Sequence, residues 1–154
     1  MKQQLNVLRA GLALMLVLMT FGARAESDIQ QLATRWADAY NAHDRAALGA
    51  IYTEDAHLMM HGEPTIKGRK NIEAFWADDF KEGNPLTLLT VTNAVEGIDM
   101  MLVHGNYQVI DRKDGRQMGF GRFAHIWNKD KNGQWHLDRD LWNQPYETAN
   151  GAKK

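Results

Sequence analysis

Residues 100–143 read MMLVHGNYQVIDRKDGRQMGFGRFAHIWNKDKNGQWHLDRDLWN, and the punctuation of this stretch decides the fold. Met100–Asp111, Gln117–Asn128 and Gln134–Asn143 are rich in Val, Leu, Ile and aromatic residues, which suit a pleated, half-buried surface. Asp114-Gly115 and Asn132-Gly133 interrupt them, and such pairs accept the left-handed backbone angles of a tight hairpin turn. A fourth run of the same kind, Leu86–Glu96, precedes them across Gly97-Ile98-Asp99. A four-strand antiparallel meander is the expectation.

Upstream the period changes. Ser27 and Gln30 have the spacing of a capping box, and Ile29, Leu32, Ala33, Trp36 and Tyr40 then fall on one helical face. Asn41 to Asp44 breaks the pattern, and Asp44 can cap a short second helix through Tyr52 that buries Ala47, Leu48 and Ile51. Thr53-Glu54-Asp55 turns into a strand near Ala56–His61. A third helix follows Gly68, carries Ile72, Phe75, Trp76 and Phe80 at helical spacing, and stops at Gly83-Asn84-Pro85. Three helices followed by a curved antiparallel sheet make an α+β domain.

The N-terminus reads as a secretory signal. Lys2 and Arg9 precede the apolar run Ala10–Phe21, and Ala23-Arg24-Ala25 offers small residues around a cleavage point after Ala25. The run is short for a bilayer span, which takes about 20 residues. A periplasmic or secreted protein starting at Glu26, with no membrane attachment after cleavage, is expected. Residues 26–146 then form one domain and 147–154 a polar tail. Without Lys2, Arg9 and Arg24 the 18 basic residues fall to 15 against 19 acidic ones, a balance of −4 with no basic stripe for nucleic acid. The absence of cysteine excludes disulfides, a thiolate nucleophile and zinc–sulfur sites.

Turn geometry places polar side chains relative to one another. A two-residue turn at Asn132-Gly133 pairs Lys131 with Gln134 and, counting back, His125 with Asp140. The same count from Asp114-Gly115 sets His104 opposite His125, giving a row His104, His125, Asp140 within reach of Asn106 and Trp142. A three-residue bulged turn would bring Val103 or Gly105 beside His125 instead, and the alternate face, with Val103, Tyr107, Ala124, Ile126, Leu137 and Leu141, could equally pack on the helices. A carboxylate beside an imidazole can orient it as a general base. His57 and His61 would share one strand face two rungs apart, a spacing that suits a metal on a helix rather than a strand, so no metal is expected. Gly119-Phe120-Gly121 lacks the strand–turn–helix setting of a dinucleotide site, and no cofactor is expected.

The element order, together with Trp36…Tyr40-Asn41-Ala42-His43-Asp44, Tyr52-Thr53-Glu54-Asp55-Ala56, Gly68…Ile72…Phe75-Trp76 and Gly133-Gln134-Trp135…Asp140-Leu141-Trp142-Asn143, resembles the NTF2-like superfamily. Within it the chain is most similar to the SnoaL-like and DUF4440 (ketosteroid-isomerase-like) branch. The resemblance implies a cone-shaped fold with a cavity, and relatives that range over cofactor-free isomerases, epoxide hydrolases, polyketide cyclases and oligomerisation domains. Against the steroid isomerases, Trp36 stands where they carry the oxyanion tyrosine and Met60 where they carry the carboxylate base, which implies that their mechanism is not used. Ala124-His125-Ile126-Trp127 resembles the association domain of calcium/calmodulin-dependent kinases, with His125 in place of a pocket arginine, which implies that His125 lines the cavity. Asp138, Arg139 and Asp140 resemble the epoxide hydrolase set, but neighbours on a strand alternate faces and cannot all converge.

The resulting expectation is a binding module for a small, largely apolar molecule, lined by Trp36, Tyr40, Trp76, His104, Tyr107, Trp142 and Asn143, with Tyr40, His125, Asp140 and Asn143 as polar anchors. The alternatives are a cofactor-free isomerase, hydratase or hydrolase with His125 and Asp140 as catalytic pair, and a structural dimerisation domain. Large apolar groups on both sheet faces predict a homodimer under each reading.

Overall fold

The computed structural model describes residues 28–144. Helix α1 occupies residues 28–41, α2 Arg45–Ile51 and α3 Arg69–Glu82; the strands are β1 Tyr52–Met60, β2 Ile66–Lys67, β3 Leu86–Glu96, β4 Met100–Ile110, β5 Gln117–Lys129 and β6 Trp135–Asn143. They form one curved, unclosed sheet in the order β2-β1-β6-β5-β4-β3. The meander β3 to β6 is antiparallel as expected. One seam differs: β1 runs parallel to β6. Sequential hairpins join β3 to β6 and leave the free edge of β6 open, and β1 enters it directly from α2. Among the described residues no helix is long and apolar enough to cross a membrane.

Asp44 caps α2 as the sequence implies, its carboxylate accepting the Ala47 N–H at 2.9 Å. Strand β1 starts at Tyr52, earlier than the turn residues suggest, because Arg69 holds the Tyr52 carbonyl through Nε at 2.9 Å and Nη2 at 2.6 Å. At the start of α1, Ser27 lies outside the described residues, as do the segment read as a signal and the polar tail. The capping box therefore falls outside what the structure describes; Gln30 itself reaches the sheet, its Nε2 donating to Leu89 O at 3.1 Å and its Oε1 accepting the Val91 N–H at 3.0 Å. Asn41 grips the same strand, donating to Thr87 O at 2.7 Å and accepting the Thr87 N–H at 2.8 Å. Two amide side chains of α1 thus satisfy the outer backbone groups of edge strand β3, in place of a seventh strand.

The core lies between the helices and one face of the sheet. Ala33, Trp36 and Ala37 of α1, Leu48 and Ile51 of α2 and Ile72 and Trp76 of α3 meet Leu58, Leu89, Met101, Val103, Phe123, Trp127 and Leu137, all buried. Close backbone approach at two glycines of this face shapes the sheet. A Cβ on Gly105 would stand 2.0 Å from Thr90 O, beside the bulge between Val91 and Asn93, and one on Gly121 would stand 2.5 Å from the Tyr107 ring.

The hairpin counts turn out half right. His125 does face Asp140, but Lys129 pairs with Trp135 across a wider turn, and a bulge between Ile126 and Trp127 restores the register. Between β4 and β5 the turn is wider too, and the bulge between Val109 and Ile110 makes up only part of the difference, so Val103, not His104, faces His125. His104 consequently lies on the outer face and is exposed.

Candidate functional site

Two helices and the sheet bring aromatic side chains to one end of the domain. Trp36 and Tyr40 lie one turn apart on α1, and Trp76 and Asp79 three residues apart on α3, so each pair shares a helix face. Tyr107 of β4 and Trp142 of β6 meet them from the sheet, and with Met60, Thr87, Val109 and the segment His61–Glu63 they enclose a cavity of about 330 Å³. Trp36 and Tyr40 stack with centroids 5.2 Å apart, and Trp76 stands edge-on to both at 77° and 84°. Trp142 packs 5.0 Å from Trp36 and 4.9 Å from Tyr107. The Tyr107 ring lies in the space that the missing side chain of Gly121 leaves free.

Asp79 brings charge to this wall. The Tyr40 hydroxyl donates to Asp79 Oδ2. Burial, and then the bonded carboxylate, push the Tyr40 hydroxyl far above the usual tyrosine range, so Tyr40 remains a neutral donor.

Behind the indoles lies a second polar cluster. Trp36 Nε1 at 2.8 Å and Trp76 Nε1 at 3.2 Å donate to the Tyr52 hydroxyl, which donates to Asp140 Oδ2 at 2.6 Å. A hydroxyl has two acceptor positions and one proton, and all three are used. Burial first, and the Asp140 charge second, raise the Tyr52 pKa well above its ordinary value against the opposing effect of the indole donors, so the proton stays on Tyr52. His125 Nε2 approaches Asp140 Oδ1 to 3.1 Å at an oblique angle, an ion-pair distance without hydrogen-bond geometry, which leaves both ring nitrogens and Oδ1 without hydrogen-bond partners.

Of the residues expected in the site, Trp36, Tyr40, Trp76, Tyr107 and Trp142 line the one cavity. His125 and Asp140 do meet, but both are fully buried behind the aromatic wall, and neither lines the cavity as the kinase-domain resemblance implied. His104 and Asn143 point to the other side of the sheet, since Ala124 and Arg122 of β5 face them; there they border a depression of about 610 Å³ with Arg122 and Asn106. Its larger size reflects the sheet's outer surface; the convergence of rings and acid is at the smaller cavity. Neither Tyr52 nor Asp79 was read as a site residue from the sequence. A signal existed for each: Asp79 interrupts the apolar face between Trp76 and Phe80, and a tyrosine at the joint of a buried helix and strand needs a partner for its hydroxyl. Among the described residues no three His, Asp or Glu side chains converge as a metal site would require.

Helices covering one face of a curved, unclosed sheet with a hollow end define an NTF2-like cone. The chain belongs to the SnoaL-like domain family, whose model matches residues 33–137. Solved structures share the fold at low identity. An NTF2-like protein with a cystatin-like fold from Novosphingobium aromaticivorans is 19% identical with a TM-score of 0.69, over 90% of this chain and 92% of that one. A function-unknown protein from Mycobacterium tuberculosis is 18% identical with a TM-score of 0.73, over 88% and 79%. A ketosteroid isomerase-like protein from Erwinia carotovora is 20% identical with a TM-score of 0.65, over 75% and 92%. Among curated proteins none matches the chain.

Proposed function

We propose that the protein binds a small molecule with a largely apolar body in the cavity between α1, α3 and the sheet. The observation that carries this reading is the wall itself: five aromatic side chains from four elements around about 330 Å³, with the Tyr40–Asp79 pair as polar contact. Turnover has less support. Trp36 and Met60 both line the cavity, at the positions where the family resemblance puts a hydroxyl donor and a carboxylate base in steroid isomerases. The His125–Asp140 pair is sealed from the cavity.

The protein acts after export, a reading supported by the Lys2, Arg9 and Ala10–Phe21 pattern with Ala23-Arg24-Ala25 behind it. It acts as a homodimer through the outer sheet face, where Val95, Leu102 and Ile126 form a row across three strands, with Val95 63% and Leu102 39% exposed. Native mass spectrometry of the protein taken from its exported fraction tests all three. The expected spectrum shows a dimer of chains starting at Glu26 with an added small-molecule mass, and that mass disappears in Trp142→Ala. A ligand retained unchanged by Trp142→Ala would remove the cavity from the reading.

A further inference from the structure

We propose that the ligand of this cavity is an organic cation, a protonated amine or quaternary ammonium group carried on an apolar body; the inference rests on the cavity being the binding site. Among the described residues the fixed charges that border it are one-signed: Asp79 and Glu63 line it, His61 is the one titratable base there, and neither a lysine nor an arginine lines it. Asp79 is half-buried, receives the Tyr40 hydroxyl, and has no ion pair with any described Lys or Arg. Arg112, on the far side of Asp79 near Pro85, directs its donors to Asn41 O and to Asn84 instead.

This arrangement discriminates among ligand classes by desolvation. A neutral apolar occupant strips water from the Asp79 carboxylate and returns nothing for it. An anion adds repulsion from Asp79 and Glu63. A cation replaces the lost hydration with a charge partner, and it also gains from the aromatic wall, because ring faces carry the negative end of their quadrupoles. Trp76 stands edge-on to the stacked Trp36 and Tyr40, and Tyr107 meets Trp142 at 64°, so rings border the cavity from several directions, as they do where ammonium groups are held. At ~30 Å³ per water the cavity has room for about eleven, which suits a probe the size of benzyltrimethylammonium.

The test compares benzyltrimethylammonium with neopentylbenzene, its uncharged carbon isostere, by titration of the purified dimer or monomer followed through tryptophan emission and calorimetry. The cation is expected to bind at least about tenfold more tightly than the isostere. Added salt should weaken the cation alone, and Asp79→Asn should collapse the ratio while Asp79→Glu keeps most of it. Equal or tighter binding of neopentylbenzene to the wild type overturns the cation inference and leaves the cavity reading intact. Failure of both probes to bind overturns both. The wild-type comparison needs no variant, so a poorly folded Asp79→Asn protein does not rescue the inference.

Discussion

The Tyr52 hydroxyl joins the back of the cavity wall to the core, through two indole donors and one carboxylate acceptor. Tyr52→Phe removes a single oxygen but leaves the Trp36 and Trp76 indole N–H groups and Asp140 Oδ2 buried without partners. Each such group costs about 1–3 kcal/mol, and partial relaxation lowers the sum, so the variant should lose roughly 3 kcal/mol in urea unfolding. A loss below about 1 kcal/mol would mean that the cluster relaxes to other partners. Trp36, Tyr40 and Trp76 were legible in the sequence because helical spacing alone puts them on a buried face. Tyr52 was not, since it stands where the helical period ends and the strand period begins, and its acceptor lies 88 residues away. His125 and Asp140 were found as a pair, yet their isolation from the cavity depends on Trp36 and Trp142 packing over them, a tertiary fact no spacing encodes.

Strand β3 is an edge that α1 closes with side chains. Asn41→Ala should release both the N–H and the carbonyl of Thr87, itself 4% exposed, at a cost of about 2 kcal/mol. Hydrogen exchange checks it locally: the Thr87 amide should exchange faster in Asn41→Ala, and the Val91 amide in Gln30→Ala, while β5 amides change only with global stability. Gly121→Ala makes the complementary test within the sheet, on β5. Its Cβ would lie 2.1 Å from Asn143 O and 2.5 Å from Tyr107, so the strand or the ring must move, with a loss of about 1–3 kcal/mol seen as a lower melting temperature. The boundaries of α2 and α3 were readable because hydrophobic period, Asp44, Gly68 and Gly83 mark them directly, while the early start of β1 and the two-residue β2 were not. Register was not, because it depends on bulges: one between Ile126 and Trp127 corrected the β5–β6 count, whereas the one between Val109 and Ile110 left the β4–β5 count a residue short at His104.

At the scale of the molecule, the four-strand meander follows from chain order, whereas the parallel seam between β1 and β6 joins segments about eighty residues apart and leaves no local trace. The same long-range closure buries tyrosines and makes stability depend on alkaline pH. Burial raises the pKa of Tyr52, Tyr40 and Tyr107, and the Asp140 and Asp79 carboxylates add to the first two. Folded values above unfolded ones mean that the folded chain holds these protons more tightly. Below about pH 10, the unfolded tyrosine value, both states are protonated and the contribution is complete. As pH rises beyond it, the unfolded chain ionises first and stability falls, by up to about 1.4 kcal/mol per pH unit for each tyrosine still protonated only in the folded state. The urea midpoint should therefore hold steady to about pH 9 and drop by about pH 11, while tyrosinate absorbance of the folded protein lags that of the unfolded chain. Tyr52→Phe, starting from lower stability, should show a shallower drop, because one of the three held protons is gone. A midpoint that stays level across this window, or a drop of equal steepness in the variant, would mean that Tyr52 ionises without unfolding the domain.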